Sequence, residues 1–244
     1  MIGHARRSFT ACLAACVVGC LPGLDGPEVA APNATHGAVR HCPAEYTIDD
    51  GEDGNHQVSA QKGRNGYWYT FADDVGTTIT PTAGAKGGTF GMAMLGGANG
   101  SLGAARIVGK VSTNGEIVFG GVGVNFLDPK APYDASAYRG FSFYARVAGE
   151  QPMNVRLKVP DANTDKAGGV CTECFNDFGA DIVLTPLWTR YEVAWEVLTQ
   201  LPGWGAPRPS QIDRSKVFGI QLQVATPGAD FDVWVDDLQF MGCP

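Results

Sequence analysis

From Tyr46 to Phe240 the chain is a succession of short apolar or alternating runs separated by Gly, Pro, Asn and Asp. Within the runs the period is two, and successive side chains of a strand point to opposite faces. In Gly140–Val147 (GFSFYARV), Phe141, Phe143, Ala145 and Val147 share one face, while Ser142, Tyr144 and Arg146 share the other. Met153, Val155, Leu157 and Val159 likewise oppose Asn154, Arg156 and Lys158. Phe218, Ile220, Leu222 and Val224 oppose Gly219, Gln221 and Gln223. The pattern predicts strands over 46–49, 66–72, 88–95, 104–111, 116–124, 139–147, 152–159, 180–184, 188–195, 217–224 and 231–240. Helical periodicity is absent apart from single turns expected at 196–202 and 213–216. Many short strands with turn signals between them predict an all-β fold, a jelly-roll β-sandwich. One run is anomalous: FDVWVDDLQF (231–240) alternates like a strand yet carries three aspartates. Asp is disfavoured in strands, and burying an unpartnered carboxylate is costly.

The first few dozen residues read differently. Arg6 and Arg7 precede an apolar run from Phe9 to Leu21, too short to cross a bilayer as a helix. Leu13-Ala-Ala-Cys16 and Val17-Val-Gly-Cys20 both resemble a bacterial lipobox. Cys20 leaves the longer apolar region before cleavage and is the expected lipidation site, with Cys16 next; an ordinary signal peptide with incidental cysteines is the other reading. The expected organisation is a lipoprotein-type signal peptide at 1–20, a flexible tether rich in Pro, Gly and Ala at 21–44, and one domain at 45–244. This places the protein in the bacterial cell envelope, as an outer-membrane lipoprotein on the periplasmic or surface side. It would be a monomer that meets the membrane only through its lipid. The formal net charge of −7 and the absence of a basic cluster argue against nucleic acid or anionic lipid as a partner.

Of the seven cysteines, Cys12, Cys16 and Cys20 belong to the export segment. Cys42, Cys171, Cys174 and Cys243 remain, and four thiols in an exported protein imply two disulfides with three possible pairings. Cys42 precedes the first predicted strand and Cys243 follows the last. If those strands are neighbours, Cys42–Cys243 staples the ends and Cys171–Cys174 closes a small loop. A zinc or redox reading of the CxxC lacks a second CxxC, a nearby His and a βαβ pattern.

The polar faces of the three alternating strands suggest a ligand. If the strands are sheet neighbours, Tyr144, Arg146, Arg156, Gln221 and Gln223 line one trough, with Tyr69 as a further contact. Amide and guanidinium groups suit sugar hydroxyls, and a ring suits the apolar face of a pyranose. A plainly solvated sheet face is the competing reading, although such faces favour Lys, Glu, Thr and Ser.

IDDGEDG (48–54), GRNGYWYTFADD (63–74), APYDASAYRGFSFYARV (131–147), LTPLWTRYEVAW (184–195) and FDVWVDDLQF (231–240) occur in the order seen in galactose-binding-like jelly rolls. Together they resemble family-eleven carbohydrate-binding modules. The resemblance implies non-catalytic binding of a polysaccharide or oligosaccharide. It also implies a structural Ca²⁺ held between the first strand's acidic motif and the last strand, by Glu52 and Asp236 with Asp50 beside them. Calcium takes six to eight hard oxygen ligands and would neutralise clustered carboxylates. Gly51 stands where the family has an aromatic residue. Two other readings stay open: a structural envelope lipoprotein contacting protein, and a polysaccharide lyase using Tyr144, Arg146 and Arg156. Against catalysis, no GxSxG or HExxH occurs, and His56 lies in an N-terminal loop.

Overall fold

A computed structural model describes residues 42–84, 86 and 89–243. The leader, Cys16, Cys20 and most of the expected tether lie outside the described residues. Twelve strands follow in order: β1 (Thr47–Asp49), β2 (Tyr67–Ala72), β3 (Thr78–Thr80), β4 (Ala93–Met94), β5 (Gly103–Lys110), β6 (Gly120–Asn125), β7 (Gly140–Val147), β8 (Met153–Val159), β9 (Phe178–Leu184), β10 (Thr189–Ala194), β11 (Gly219–Val224) and β12 (Asp230–Phe240). A seven-stranded sheet runs β10-β7-β12-β5-β3, with β1 added to β12 and β4 to β5. A five-stranded sheet runs β2-β6-β11-β8-β9. All described pairings are antiparallel. The fold is a jelly-roll β-sandwich, and its only described helices are 3₁₀ turns, among them Trp195–Val197 and Arg214–Lys216 where single turns were expected.

The period-two faces assemble the core as anticipated. Phe141, Phe143, Ala145 and Val147 of one sheet meet Val155, Leu157 and Val159 and Ile220, Leu222 and Val224 of the other, all buried. Each Phe, Val, Leu or Ile among them contributes roughly 1.5–3 kcal/mol when removed from water. At one end of the core Phe126, Phe141 and Tyr138 surround Phe240, with Tyr138 stacked on it at 3.9 Å between centroids.

The acidic pair in β12 now has a local cause. Phe231, Val233 and Val235 point inward at odd positions, but Leu238 and Phe240 do so at even ones. The register against β7 shifts between Asp236 and Gln239, and Asp237 adopts φ +48°. A bulge of this kind inserts an extra residue and re-aims the side chains after it.

Several boundaries differ from expectation. Among the described residues of the predicted strand 88–95, only Ala93–Met94 pair. The strand expected at 116–124 begins at Gly120. The short strand Thr78–Thr80 was not anticipated. Residues 42–44 are not tether: Cys42 is disulfide-bonded to Cys243, with Cα atoms 5.5 Å apart, and Ala44 opens a 3₁₀ turn. Cys171 is bonded to Cys174.

The largest correction concerns neighbours. β7 pairs with β10 and β12, whereas β8 pairs with β11 and β9. The chain changes sheet across 148–152. Alternation fixes which side of a strand a residue occupies; it does not reveal which sheet the strand joins. Tyr144 and Arg146 are therefore on the opposite sheet from Arg156, Gln221, Gln223 and Tyr69, and the expected common trough does not exist.

Candidate functional site

The outer face of the five-stranded sheet is built from two cross-strand rows. One runs Phe71–Gly121–Gln223–Arg156–Asp181 across β2, β6, β11, β8 and β9. The other runs Tyr69–Gly123–Gln221–Lys158–Gly179. Two of the glycines matter sterically. A Cβ on Gly121 would lie 2.4 Å from the Phe71 ring, and one on Gly123 would lie 2.6 Å from the Tyr69 ring. Both rings thus lean over β6 because it carries no side chains there.

Above the rows lies a groove of about 510 Å³. Phe71 and Phe119 form one wall, their rings 6.1 Å apart. Phe175, Leu201 and Trp204 form the other. Phe175 is 54% exposed and Trp204 42% exposed, so both rings are available to a ligand. A second depression of similar volume adjoins it and shares Arg156, Leu201 and Gln223. The two, taken together as the channel, meet at these three residues.

The charges on the floor are neutralised within the protein. Lys158 Nζ lies 3.0 Å from Asp177 Oδ2 and donates to the Phe175 carbonyl. Arg156 donates to Asp181 Oδ1 at 3.0 Å and to the Thr199 carbonyl at 2.6 Å. Burial pushes the Asp177 carboxyl up from its ordinary value, and the Lys158 charge opposes that rise. Asp177 Oδ1 is buried without a hydrogen-bond partner among the described residues. Gln221 Nε2 donates to the Tyr69 hydroxyl at 2.8 Å, and burial raises that hydroxyl's pKa. The Gln223 side chain has no protein hydrogen bond among the described residues and lines the groove.

Four of the six expected contact residues, Tyr69, Arg156, Gln221 and Gln223, therefore share this face. Tyr144 and Arg146 lie on the outer face of the seven-stranded sheet. There Arg146 sits between two indoles, its guanidinium carbon 5.3 Å from the Trp188 centroid and 4.5 Å from that of Trp234. Arg106 covers Trp234 at 4.6 Å and pairs with Asp232. Such cation–π contacts are worth about 0.5–2 kcal/mol each. Arg146 is half-buried and its Nε has no hydrogen-bond partner among the described residues. Its surroundings are those of a packing residue.

Alternation had already put Lys158 on the groove face, beside Arg156. Phe119, Phe175, Asn176 and Trp204 come from loops, where no periodicity points a side chain.

The acidic residues lie at the β1–β12 end. Glu52 Oε1 accepts from Ser101 Oγ and from the N–H groups of Leu102 and Gly103. Asp236 accepts from the N–H groups of Ala98 and Asp237. The Ser101 hydroxyl and the two amides hold Glu52 below its ordinary pKa. Burial, then the charges of Asp236, Asp50 and Glu52, push Asp237 up to about 6. The donor chemistry matches calcium's preference for hard oxygens. However, among the described residues no three acidic, His or Cys side chains converge as a metal-holding group. The first and last strands are tied here by hydrogen bonds to the 98–103 loop.

No family model matches the chain, and no curated protein does. Similarity emerges between structures. A family 11 carbohydrate-binding module from Clostridium thermocellum, in complex with a β-1,3-1,4-mixed-linked tetrasaccharide, superposes with a TM-score of 0.51 at 12% identity, covering 78% of this chain and 96% of that one. The family 11 module of the cellulosomal cellulase Lic26A-Cel5E of the same organism gives a TM-score of 0.52 at 10% identity, covering 81% and 95%. The domain has the jelly-roll fold of family 11 carbohydrate-binding modules.

Proposed function

We propose that the domain is a non-catalytic carbohydrate-binding module that holds a polysaccharide or oligosaccharide in the channel over the five-stranded sheet. The observation that carries this reading is the groove's make-up: Gln223, whose side chain makes no hydrogen bond among the described residues, sits between two aromatic walls. Sugars present hydroxyl edges and apolar faces together, and sites that bind them need both complements. Phe71 and Phe119 on one side and Trp204 and Phe175 on the other suit the apolar faces. The similar module seen with a mixed-linked tetrasaccharide makes that oligosaccharide the first ligand to try.

A non-catalytic role is supported by the state of the groove's carboxylates. Hydrolysis uses one carboxylic acid and one carboxylate about 5–10 Å apart across the scissile bond. Here Asp177 is ion-paired with Lys158, and Asp181 with Arg156.

The same proposal includes export and lipid attachment at Cys20, in the envelope of a bacterium, with the module acting as a monomer. The two disulfides support an oxidising compartment. It also includes a Ca²⁺ ion held by Glu52 and Asp236 with Asp50, supported by the repulsion these three charges exert on Asp237, which a dication would offset.

Isothermal titration with the mixed-linked tetrasaccharide, beside an array of neutral and uronate glycans, tests the central claim. Saturable binding to a glycan, abolished by substitution in the channel, is expected. An array on which the folded protein retains no glycan overturns it.

A further inference from the structure

We propose that the Cys171–Cys174 disulfide is a redox-responsive strut that sets the aromatic wall of the channel; this rests on the glycan reading above. Cys174 itself lines the groove. The next residue, Phe175, presents its ring to the groove from a left-handed backbone, φ +77°. A non-glycine residue adopts that conformation only when its surroundings impose it. Here the Phe175 N–H donates to the Thr164 carbonyl at 2.8 Å, and its own carbonyl accepts from Lys158 Nζ at 3.1 Å.

The turn closed by the disulfide is also fastened to the loop that carries Trp204. Glu173 and Ala206 form an antiparallel bridge, with the Ala206 N–H donating to the Glu173 carbonyl at 3.1 Å. Glu173 Oε2 accepts from the Gly205 N–H at 3.0 Å. Asn176, buried, donates from Nδ2 to the carbonyls of Leu201 and Trp204 at 2.9 and 2.6 Å, and accepts from the Leu201 N–H at 2.9 Å. The loops meet so closely that a Cβ on Gly205 would lie 2.7 Å from Asn176 Cβ. Phe175 and Trp204, the two exposed rings of this wall, are thus mounted on one unit, and the disulfide is its covalent element.

Its loop is short, with a sequence separation of 3, so it removes little freedom from the unfolded chain. What it constrains is the local path of the wall. Both cysteines are half-buried, within reach of a small thiol. A dithiol reductant attacks one sulfur as its thiolate, giving a mixed disulfide and releasing the other cysteine. Its second thiolate then displaces the first cysteine, leaving two protein thiols and an oxidised, cyclic reductant, a two-electron, two-proton exchange. Without the bond, a ligand must order Phe175 and Trp204 as it binds.

The test uses the whole chain, with the mixed-linked tetrasaccharide as probe. Affinity and thermal midpoint are measured for the wild type, for wild type treated with dithiothreitol and then reoxidised, and for Cys171→Ser/Cys174→Ser. The double variant separates this bond from Cys42–Cys243. The variant is expected to bind about fivefold to tenfold more weakly, the cost of ordering one or two side chains on binding, with its midpoint within a few degrees of wild type. Treated wild type should weaken likewise and recover on reoxidation. Acrylamide quenching of Trp204 fluorescence, assigned by comparison with Trp204→Phe, should rise in the variant. Equal affinity of wild type and variant overturns the strut while leaving the glycan reading intact. A collapse of the variant's midpoint overturns it too, by making the bond a staple of the fold. No glycan binding by wild type removes both.

Discussion

The Cys42–Cys243 bond should be the largest single contributor to stability in the domain. It spans a sequence separation of 201, nearly the whole folded unit. In the chain-entropy treatment, closing a loop of about 200 residues removes about 18 cal/mol/K from the unfolded ensemble, or about 5 kcal/mol at 25 °C. The same relation gives about 1.6 kcal/mol for Cys171–Cys174, whose separation is 3. The folded state needs little rearrangement to form the long link. β1 and β12 already pair, Thr47 opposite Gln239, and the Arg139 N–H donates to the Met241 carbonyl at 2.9 Å. Since domains of this kind are stable by about 5–15 kcal/mol in all, Cys42→Ser/Cys243→Ser should lose a third or more of its stability. Urea denaturation followed by tryptophan fluorescence measures this directly. The midpoint should fall, and the slope should rise because the opened unfolded chain exposes more surface. A loss under about 1 kcal/mol with an unchanged slope would refute the reasoning, since the ends would then be held together in the unfolded state without the bond.

Four further outcomes are expected. Trp204→Ala should weaken tetrasaccharide binding about tenfold, about 1.4 kcal/mol, with the thermal midpoint little changed because the residue is 42% exposed and lies outside the core; titration calorimetry checks it. Arg156→Leu should weaken binding, whereas Arg146→Leu should leave affinity unchanged and lower stability by about 1–2 kcal/mol through its lost indole contacts; equal effects of the two on affinity would contradict the assignment of faces. Burial raises the Asp73 carboxyl, but hydrogen bonds from Thr77, Phe119 and Val75 outweigh it and its pKa is lowered. Its contribution is therefore present above the unfolded carboxylate range and lost as pH falls through the folded value, and acid melts of Asp73→Asn should lack part of the wild-type drop. Millimolar CaCl₂ should raise the thermal midpoint and a chelator reverse it, with Glu52→Gln insensitive to both; no shift in wild type would remove calcium from the proposal.

Much of this arrangement was legible in the sequence, for a definite reason. Period two is a geometric property of any strand, so the inward faces of β7, β8 and β11 and the outward positions of Arg156, Gln221 and Gln223 could be read from single residues. The four mature cysteines pointed to end-to-end stapling because Cys42 and Cys243 flank the first and last strands. Sheet membership was not legible. Nothing local to 148–152 says that the chain changes sheet there, and this one crossing moved Tyr144 and Arg146 away from the groove. The bulge at Asp236–Asp237 was visible only as an oddity of composition, because parity reverses inside a single strand. The wall residue Phe175 was beyond reach for a different reason: its placement beside Trp204 depends on Asn176 and Glu173 bonding across loops some 25–32 residues apart.

The bare stretch of β6 at Gly121 and Gly123 has a consequence for how this surface can change over generations. Where rings lie in the space of missing side chains, mutation can displace them but cannot make more room, since nothing is smaller than glycine. With ring atoms already inside the space a Cβ would need, drift at these two positions runs in one direction, toward a shallower bed. Novel preferences must instead be explored from the rims, where Trp204 and Phe175 can grow, shrink or swap without disturbing the layer beneath.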